Sequence, residues 1–230
     1  MSTYLLIHGA CGGGWCWDDL SSVLQAAGHR VIAPDLPCDD VDADLARYVA
    51  VACSAVTNAG QLESDGLIVV GHSLGSLTAA GVASSLPTTR LVFVAGVIGE
   101  PGLRLRDITD DDADRDFSLG DDGIELDDAR RFRFTPECAR RALYHDCTPA
   151  QADAAIARLR FQRSMYKDVA PFAAWPDTEI TSIVCREDRI FSPDWSRRVA
   201  RSRLGVEATE IDGGHSPMLS RPVELAALLT

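Results

Sequence analysis

Six short apolar runs set the strongest limit on what this chain of 230 residues can fold into. They are Tyr4–His8, Arg30–Ala33, Leu67–Gly71, Leu91–Ala95, Thr181–Cys185 and Ala208–Ile211, each rich in Val, Ile or Leu and bounded by Gly, Pro or Asp. Continuous runs of about five residues suit strands buried on both faces, which is the signature of a parallel sheet. Helical patterns fill the intervals. Asp18–Ala27 repeats its apolar residues at Leu20, Val23, Leu24 and Ala27, and Asp42–Val56, Leu74–Ser85, Trp195–Leu204 and Pro222–Leu229 continue the series. Strand and helix in turn predict a doubly wound α/β sheet. The rhythm breaks once: 85 residues separate the Leu91–Ala95 and Thr181–Cys185 runs, far more than a crossover needs. In that interval Asp107–Asp128 is polar and acidic, while Pro136–Tyr144 and Pro149–Phe161 read as helices. The expectation is a helical cap, residues 100–176, inserted into a core made of 1–99 and 177–230.

Charge and cysteines narrow the partners. With 34 Asp+Glu against 22 Lys+Arg, the net charge of −12 weighs against nucleic acid, whose phosphates need a basic face. It weighs equally against a polybasic membrane anchor. The acidity is local: Asp107–Asp128 holds eleven acidic residues against one basic, Arg115, and the rest of the chain is nearly neutral. The simplest reading of that stretch is a solvated face. If it borders a pocket mouth, it disfavours anionic substrates, an effect that salt weakens. No run approaches the roughly 18 apolar residues of a membrane span. The N-terminus shows no basic n-region or cleavage site, so no secretion signal is expected. The seven cysteines contain no C-x-x-C pair and no zinc spacing. An odd number in a chain of this size predicts free thiols in a reducing cytoplasm, with no metal site.

Gly71-His72-Ser73-Leu74-Gly75 follows a predicted strand and leads into a predicted helix, the context that a G-x-S-x-G nucleophile elbow requires. In such an elbow the serine occupies a sharp, strained turn, and flanking side chains would collide with neighbouring backbone. The hydroxyl is lifted to a helix start, where free N–H groups favour negative charge. Ser73 is therefore the candidate nucleophile, and a hydroxyl needs a base. His215 follows the last predicted strand in Gly213-Gly214-His215-Ser216-Pro217 and is that candidate. His29 reads as a solvated turn residue, and His72 cannot aim at its neighbour's hydroxyl. His145, in Tyr144-His145-Asp146-Cys147 of the cap, reads as a structural hydrogen-bonder or a pocket contact.

The acid is expected in Arg186-Glu187-Asp188-Arg189, just past the preceding strand. Asp188 fits best, with Glu187 and then Asp194 as rivals, and Asp212 is too close in sequence to His215. The chain order Ser73, Asp188, His215 is the order of the α/β-hydrolase fold. An oxyanion hole needs two backbone N–H groups, for which Leu74 and Ala10 are the candidates. Ala10 belongs to His8-Gly9-Ala10-Cys11-Gly12-Gly13-Gly14, which lacks the Lys-Ser/Thr of a phosphate loop and does not fit G-x-G-x-x-G. Gly9, Cys11, Trp15 and His145 are the expected substrate contacts. Trp17 is expected to pack the following helix, and no activating partner for Cys11 is visible in the sequence. Phe132, Phe134, Phe161, Met165, Tyr166 and Phe172 are candidate pocket or core residues, most of them expected in the core.

Together these residues resemble the α/β-hydrolase superfamily over essentially the whole chain. Leu6-Ile7-His8-Gly9-Ala10-Cys11, Gly14-Trp15-Cys16-Trp17, Ala26-Ala27-Gly28-His29-Arg30-Val31, Pro34-Asp35-Leu36 and the segment from Gly213 to Pro222 are similar to the plant methylesterase and hydroxynitrile lyase group. Its bacterial esterase relatives share Tyr144-His145-Asp146-Cys147. Lyases of the group carry threonine after the first histidine and lysine after the catalytic one. Here those positions are Gly9 and Ser216, so the resemblance implies the esterase branch. It also implies a sheet that begins at the His8-Gly9 strand, about six-stranded and parallel, with helices on both faces.

The function expected is a serine hydrolase that cleaves a small-molecule carboxylic ester through an acyl-enzyme, using a Ser-His-Asp triad and no cofactor. Homodimerisation is left open. Alternatives on the same fold are lactone or thioester hydrolysis, acyl transfer, cyclisation, lyase chemistry, or a receptor that retains its triad.

Overall fold

All six apolar runs become strands of one sheet. The strands are β1 (Thr3–Ile7), β2 (Arg30–Ile32), β3 (Leu67–His72), β4 (Arg90–Val94), β7 (Glu179–Cys185) and β8 (Thr209–Ile211). Their order is β2-β1-β3-β4-β7-β8, and every neighbouring pair is parallel. The computed structural model describes residues 1–109, 119 and 122–230. Residues 110–118 and 120–121 of the acidic stretch, expected as a solvated face, lie outside the described residues.

Successive side chains of a strand point to opposite faces, and β1 shows what this does to the core. Tyr4 and Leu6 join Trp17, Leu20 and Leu24 beside α1 (Asp18–Ala26) and Leu225 and Leu229 of α8 (Pro222–Leu229). Leu5 and Ile7 join Tyr48 and Ala52 of α2 (Leu45–Asn58) and Leu77 and Ala80 of α3 (Gly75–Ser85). Helices thus cover both faces, which is why the runs lack alternation. Every residue from Gly75 to Ala83 is buried, so α3 is apolar all round and rich in small residues. The start of α2 lies later than Asp42 because Asp44 caps it, its carboxylate accepting the Arg47 N–H at 2.8 Å. α7 (Pro193–Val199) opens on a proline at its first position and runs into a widened turn at Ala200–Leu204, which Gly205 ends at φ 69°.

Between β4 and β7 lie α4 (Leu105–Thr109), α5 (Pro136–Cys138) with a wide turn over Ala139–Leu143, and α6 (Pro149–Ile156). The same stretch holds an antiparallel ribbon of β5 (Ile124–Leu126) and β6 (Phe132–Phe134), which the helical expectation did not contain. α6 carries a full capping box between Thr148 and Gln151, yet it stops at Ile156 rather than Phe161. Tertiary bonds compete for the backbone there: the Arg160 N–H donates to the Cys11 carbonyl at 2.8 Å, and Gln162 pairs with Phe132. No helix among the described residues is long and apolar enough to cross a membrane.

Strand order places the functional crevice. The chain leaves β1 toward β2 on one side and leaves its neighbour β3 toward β4 on the other, and doubly wound sheets bind ligands at the carboxyl ends of two such strands. Ile7 pairs with Gly71, so the His8–Gly14 loop and the Ser73 turn leave the sheet side by side.

Candidate active site

Ser73 stands at φ 49°, a left-handed backbone that costs a non-glycine residue about 1–3 kcal/mol. The surroundings hold it there. Its N–H donates to the Val94 carbonyl at 3.0 Å, and its carbonyl accepts the N–H groups of Ser76 and Val97 at 3.1 and 3.0 Å. The flanking glycines are steric necessities. A Cβ on Gly71 would stand 2.7 Å from Ser76 Cα and from Ala79 Cβ. One on Gly75 would stand 2.8 Å from the Ile7 carbonyl oxygen and nearer still to that of His8. α3 therefore begins hard against the end of β1, and the Leu74 amide heads it, where the first N–H groups have no acceptor within the helix.

Asp188 and His215 meet below the crevice. His215 Nδ1 donates to Asp188 Oδ2 at 2.8 Å, with both side chains buried. Asp188 Oδ1 accepts the N–H groups of Ile190 and Phe191 at 2.7 and 3.2 Å. An acceptor-only carboxylate requires the proton on Nδ1 and leaves the Nε2 lone pair free to act as a base. The rival acids are spent elsewhere or point out: Asp194 pairs with Arg197, Asp212 with Arg186, and Glu187 is exposed.

Two further histidines, given no catalytic role by the sequence, brace this arrangement. His8 Nδ1 donates to the Gly9 carbonyl at 2.8 Å while its Nε2 accepts the Leu36 N–H at 3.0 Å. Only a neutral ring can do both, and burial lowers the His8 pKa to about 4. His72 Nε2 donates to the His215 carbonyl at 2.8 Å, and burial followed by the nearby His215 ring holds its pKa well below the usual histidine range. Gly9 fits beside them because a Cβ there would stand 2.8 Å from His72 Nδ1 and 3.0 Å from Ser73 Cβ.

Ser73 and His215 face one cavity of about 270 Å³, which Gly9, Ala10, Trp15 and Leu74 also line. Its walls are apolar, and among the described residues no Asp, Glu, Lys or Arg lines it. Phe132, Phe134, Met165 and Tyr166 form part of the wall; Phe134 and Met165 also belong to the buried core as expected, Phe132 packs against it, and only Tyr166 is exposed. Phe172 does pack into the core beside Trp175, and Phe161 lies under the Arg133 guanidinium. An apolar residue next to a pocket and one inside a core carry the same sequence signal.

Two expected substrate contacts do not reach the cavity. Cys11 is fully buried behind it at φ 59°, with its thiol directed at the Phe132 carbonyl and its thiol pKa raised by burial. His145 donates from Nε2 to the Glu187 carbonyl at 3.0 Å, while its neighbour Asp146 accepts the Gly214 N–H at 2.8 Å. This dipeptide straps the loop of Asp188 to the loop of His215, which also join directly through the Glu187 N–H and Gly213 carbonyl at 2.9 Å. Gly214 permits the approach, since a Cβ there would come within 2.8 Å of Asp146 Oδ1.

The sequence model of the alpha/beta hydrolase family matches residues 4–228. The chain belongs to the alpha/beta hydrolase family. Methylesterase 7 of Arabidopsis thaliana is 29% identical to it, over 98% of this chain and 94% of the relative. Salicylic acid-binding protein 2 of Nicotiana tabacum is 28% identical, over 98% of this chain and 95% of its own length. The crystal structure of polyneuridine aldehyde esterase superposes on this alpha/beta hydrolase with a TM-score of 0.79 at 21% identity, covering 100% of this chain and 98% of that one. The plant methylesterase resemblance carried by the sequence motifs is the one these comparisons return.

Proposed function

We propose that this alpha/beta hydrolase cleaves small, uncharged carboxylic esters through an acyl-enzyme on Ser73. The observation that carries the reading is the opening of a strained serine and a buried His–Asp pair onto one apolar cavity. His215 Nε2 takes the Ser73 proton as the hydroxyl oxygen attacks the ester carbonyl. Asp188 holds the ring in that tautomer and stabilises the imidazolium. The Leu74 and Ala10 amides receive the developing oxyanion. The alcohol departs with the proton from His215, and a water activated by the same ring then cleaves the acyl-enzyme, releasing the acid and restoring Ser73. Gly9 and Trp15 contact the substrate.

An apolar wall favours a neutral ester, because an unpaired charge is costly to bury. The names of the methylesterase relatives support the reaction class. In this reading residues 100–176 cap the crevice, and seven free cysteines support a reducing, cytoplasmic setting. The test is hydrolysis of p-nitrophenyl acetate and butyrate, with labelling by a fluorophosphonate. Wild type is expected to do both and Ser73→Ala neither. A wild type that neither hydrolyses nor labels overturns the proposal.

A further inference from the structure

Ala10 sits between two peptide planes, and each is fixed by one side chain. In the Gly9–Ala10 peptide the carbonyl accepts the His8 Nδ1 proton at 2.8 Å. A trans peptide is rigid, so that bond sets where the Ala10 N–H points. In the next peptide the Cys11 N–H donates to Gln162 Oε1 at 2.9 Å. The second bond has strain to restrain, because Cys11 stands at φ 59° without being glycine. The Arg160 N–H takes the Cys11 carbonyl at 2.8 Å, and the Gln162 backbone exchanges two 2.8 Å bonds with Phe132, so the anchor is itself anchored.

The carboxamide orientation is decided by its partner. A donor on Cys11 demands the oxygen, which the Cys38 thiol also approaches at 3.5 Å, and Gln162 lines a small recess together with Ala10, Leu74, Tyr48 and Thr78. Gln162 is 1% exposed, and no described residue accepts from its carboxamide nitrogen. Burying an amide with its N–H unpaired costs stability, so packing alone does not account for a glutamine here, where a methionine would span the same length. We infer that Gln162 is a positioning residue of the oxyanion hole, holding the Ala10–Cys11 peptide so that the Ala10 amide meets the developing oxyanion. This rests on the ester-hydrolase reading of the site.

The test compares wild type with Gln162→Met, which keeps length and removes the acceptor, and Gln162→Glu, which keeps an acceptor in place. Losing a whole oxyanion donor lowers kcat by about a hundred- to a thousandfold, so a displaced donor is expected to cost Gln162→Met about ten- to a hundredfold. KM for p-nitrophenyl butyrate should stay within about threefold, since the ground-state carbonyl gains little from the hole. Affinity for an alkyl boronic acid, whose tetrahedral adduct on Ser73 uses the hole, should fall with kcat. Amide exchange at Cys11, followed by NMR, should be slow in wild type and Gln162→Glu and fast in Gln162→Met.

A Gln162→Met protein with wild-type kcat and boronate affinity overturns the inference, as does Cys11 exchange that is already fast in wild type. If Gln162→Met does not fold, slow Cys11 exchange in wild type and Gln162→Glu supports the contact and fast exchange overturns it. If wild type hydrolyses no ester, the ester reading fails in its own assay while Cys11 exchange still decides the Gln162 bond.

Discussion

Asp188→Asn exchanges one oxygen for an NH2, and the surroundings dictate which one. Oδ1 accepts the backbone N–H groups of Ile190 and Phe191 at 2.7 and 3.2 Å. Turning the NH2 toward them would leave buried donors facing each other, each at a cost of about 1–3 kcal/mol. The asparagine oxygen therefore stays with the backbone, and the NH2 faces His215 Nδ1, where Oδ2 now stands at 2.8 Å. Nδ1 must then accept, the ring proton moves to Nε2, and Nε2 can no longer take the Ser73 proton. In a serine protease triad the same exchange lowers kcat by about ten-thousandfold. At about 1.4 kcal/mol per tenfold, that corresponds to roughly 5.5 kcal/mol of lost transition-state stabilisation. The same loss is expected here, with KM little changed. The assay is kcat and KM for p-nitrophenyl butyrate at pH 7, with urea unfolding as a check that the variant folds. A folded Asp188→Asn protein within tenfold of wild type refutes the orienting role of Asp188. A full loss in Asp194→Asn instead would move the acid there.

Gly75→Ala drives a methyl into the Ile7 and His8 carbonyls, and neither can yield unless β1 and α3 separate. Overpacking of this kind costs about 1–3 kcal/mol, so an unchanged urea midpoint would count against it. Acid should destabilise the fold before its carboxylates titrate. His8 has a folded-state pKa of about 4 against 6.5 unfolded, so the unfolded chain binds a proton that the native state refuses. Stability is full above pH 6.5 and is lost as pH falls toward 4. The gap is worth roughly 3 kcal/mol in all and about 2 by pH 5, with His72 adding in the same direction. Equal urea stability at pH 7 and pH 5 would refute neutral, buried His8. All seven cysteines are free and five are buried, while burial and Asp146 push the Cys147 thiol up to about 12. An aromatic disulfide reagent at pH 7 should titrate the native protein slowly and all seven thiols in urea, whereas rapid labelling of Cys11 would contradict its placement.

Sheet and elbow were legible in the sequence because both are written in neighbouring residues. A strand covered on two faces must be apolar throughout, and a serine turn between packed backbones must be flanked by glycine, so Leu67 to Gly75 announces itself. Gly213-Gly214 before His215 is local in the same way, and Asp188 follows from its short distance past β7. What an apolar or polar side chain finally touches was not legible. Phe132 and Phe172 look alike in sequence, yet one lines the cavity and the other packs against Trp175. Gln162 meets Cys11 across 151 residues, and His145 reaches the Asp188 loop rather than the substrate cavity. Periodicity and spacing report that a residue is buried or that a chain must turn. Which distant segment it is buried against is decided only when the sheet brings the ends of β1, β3, β7 and β8 together.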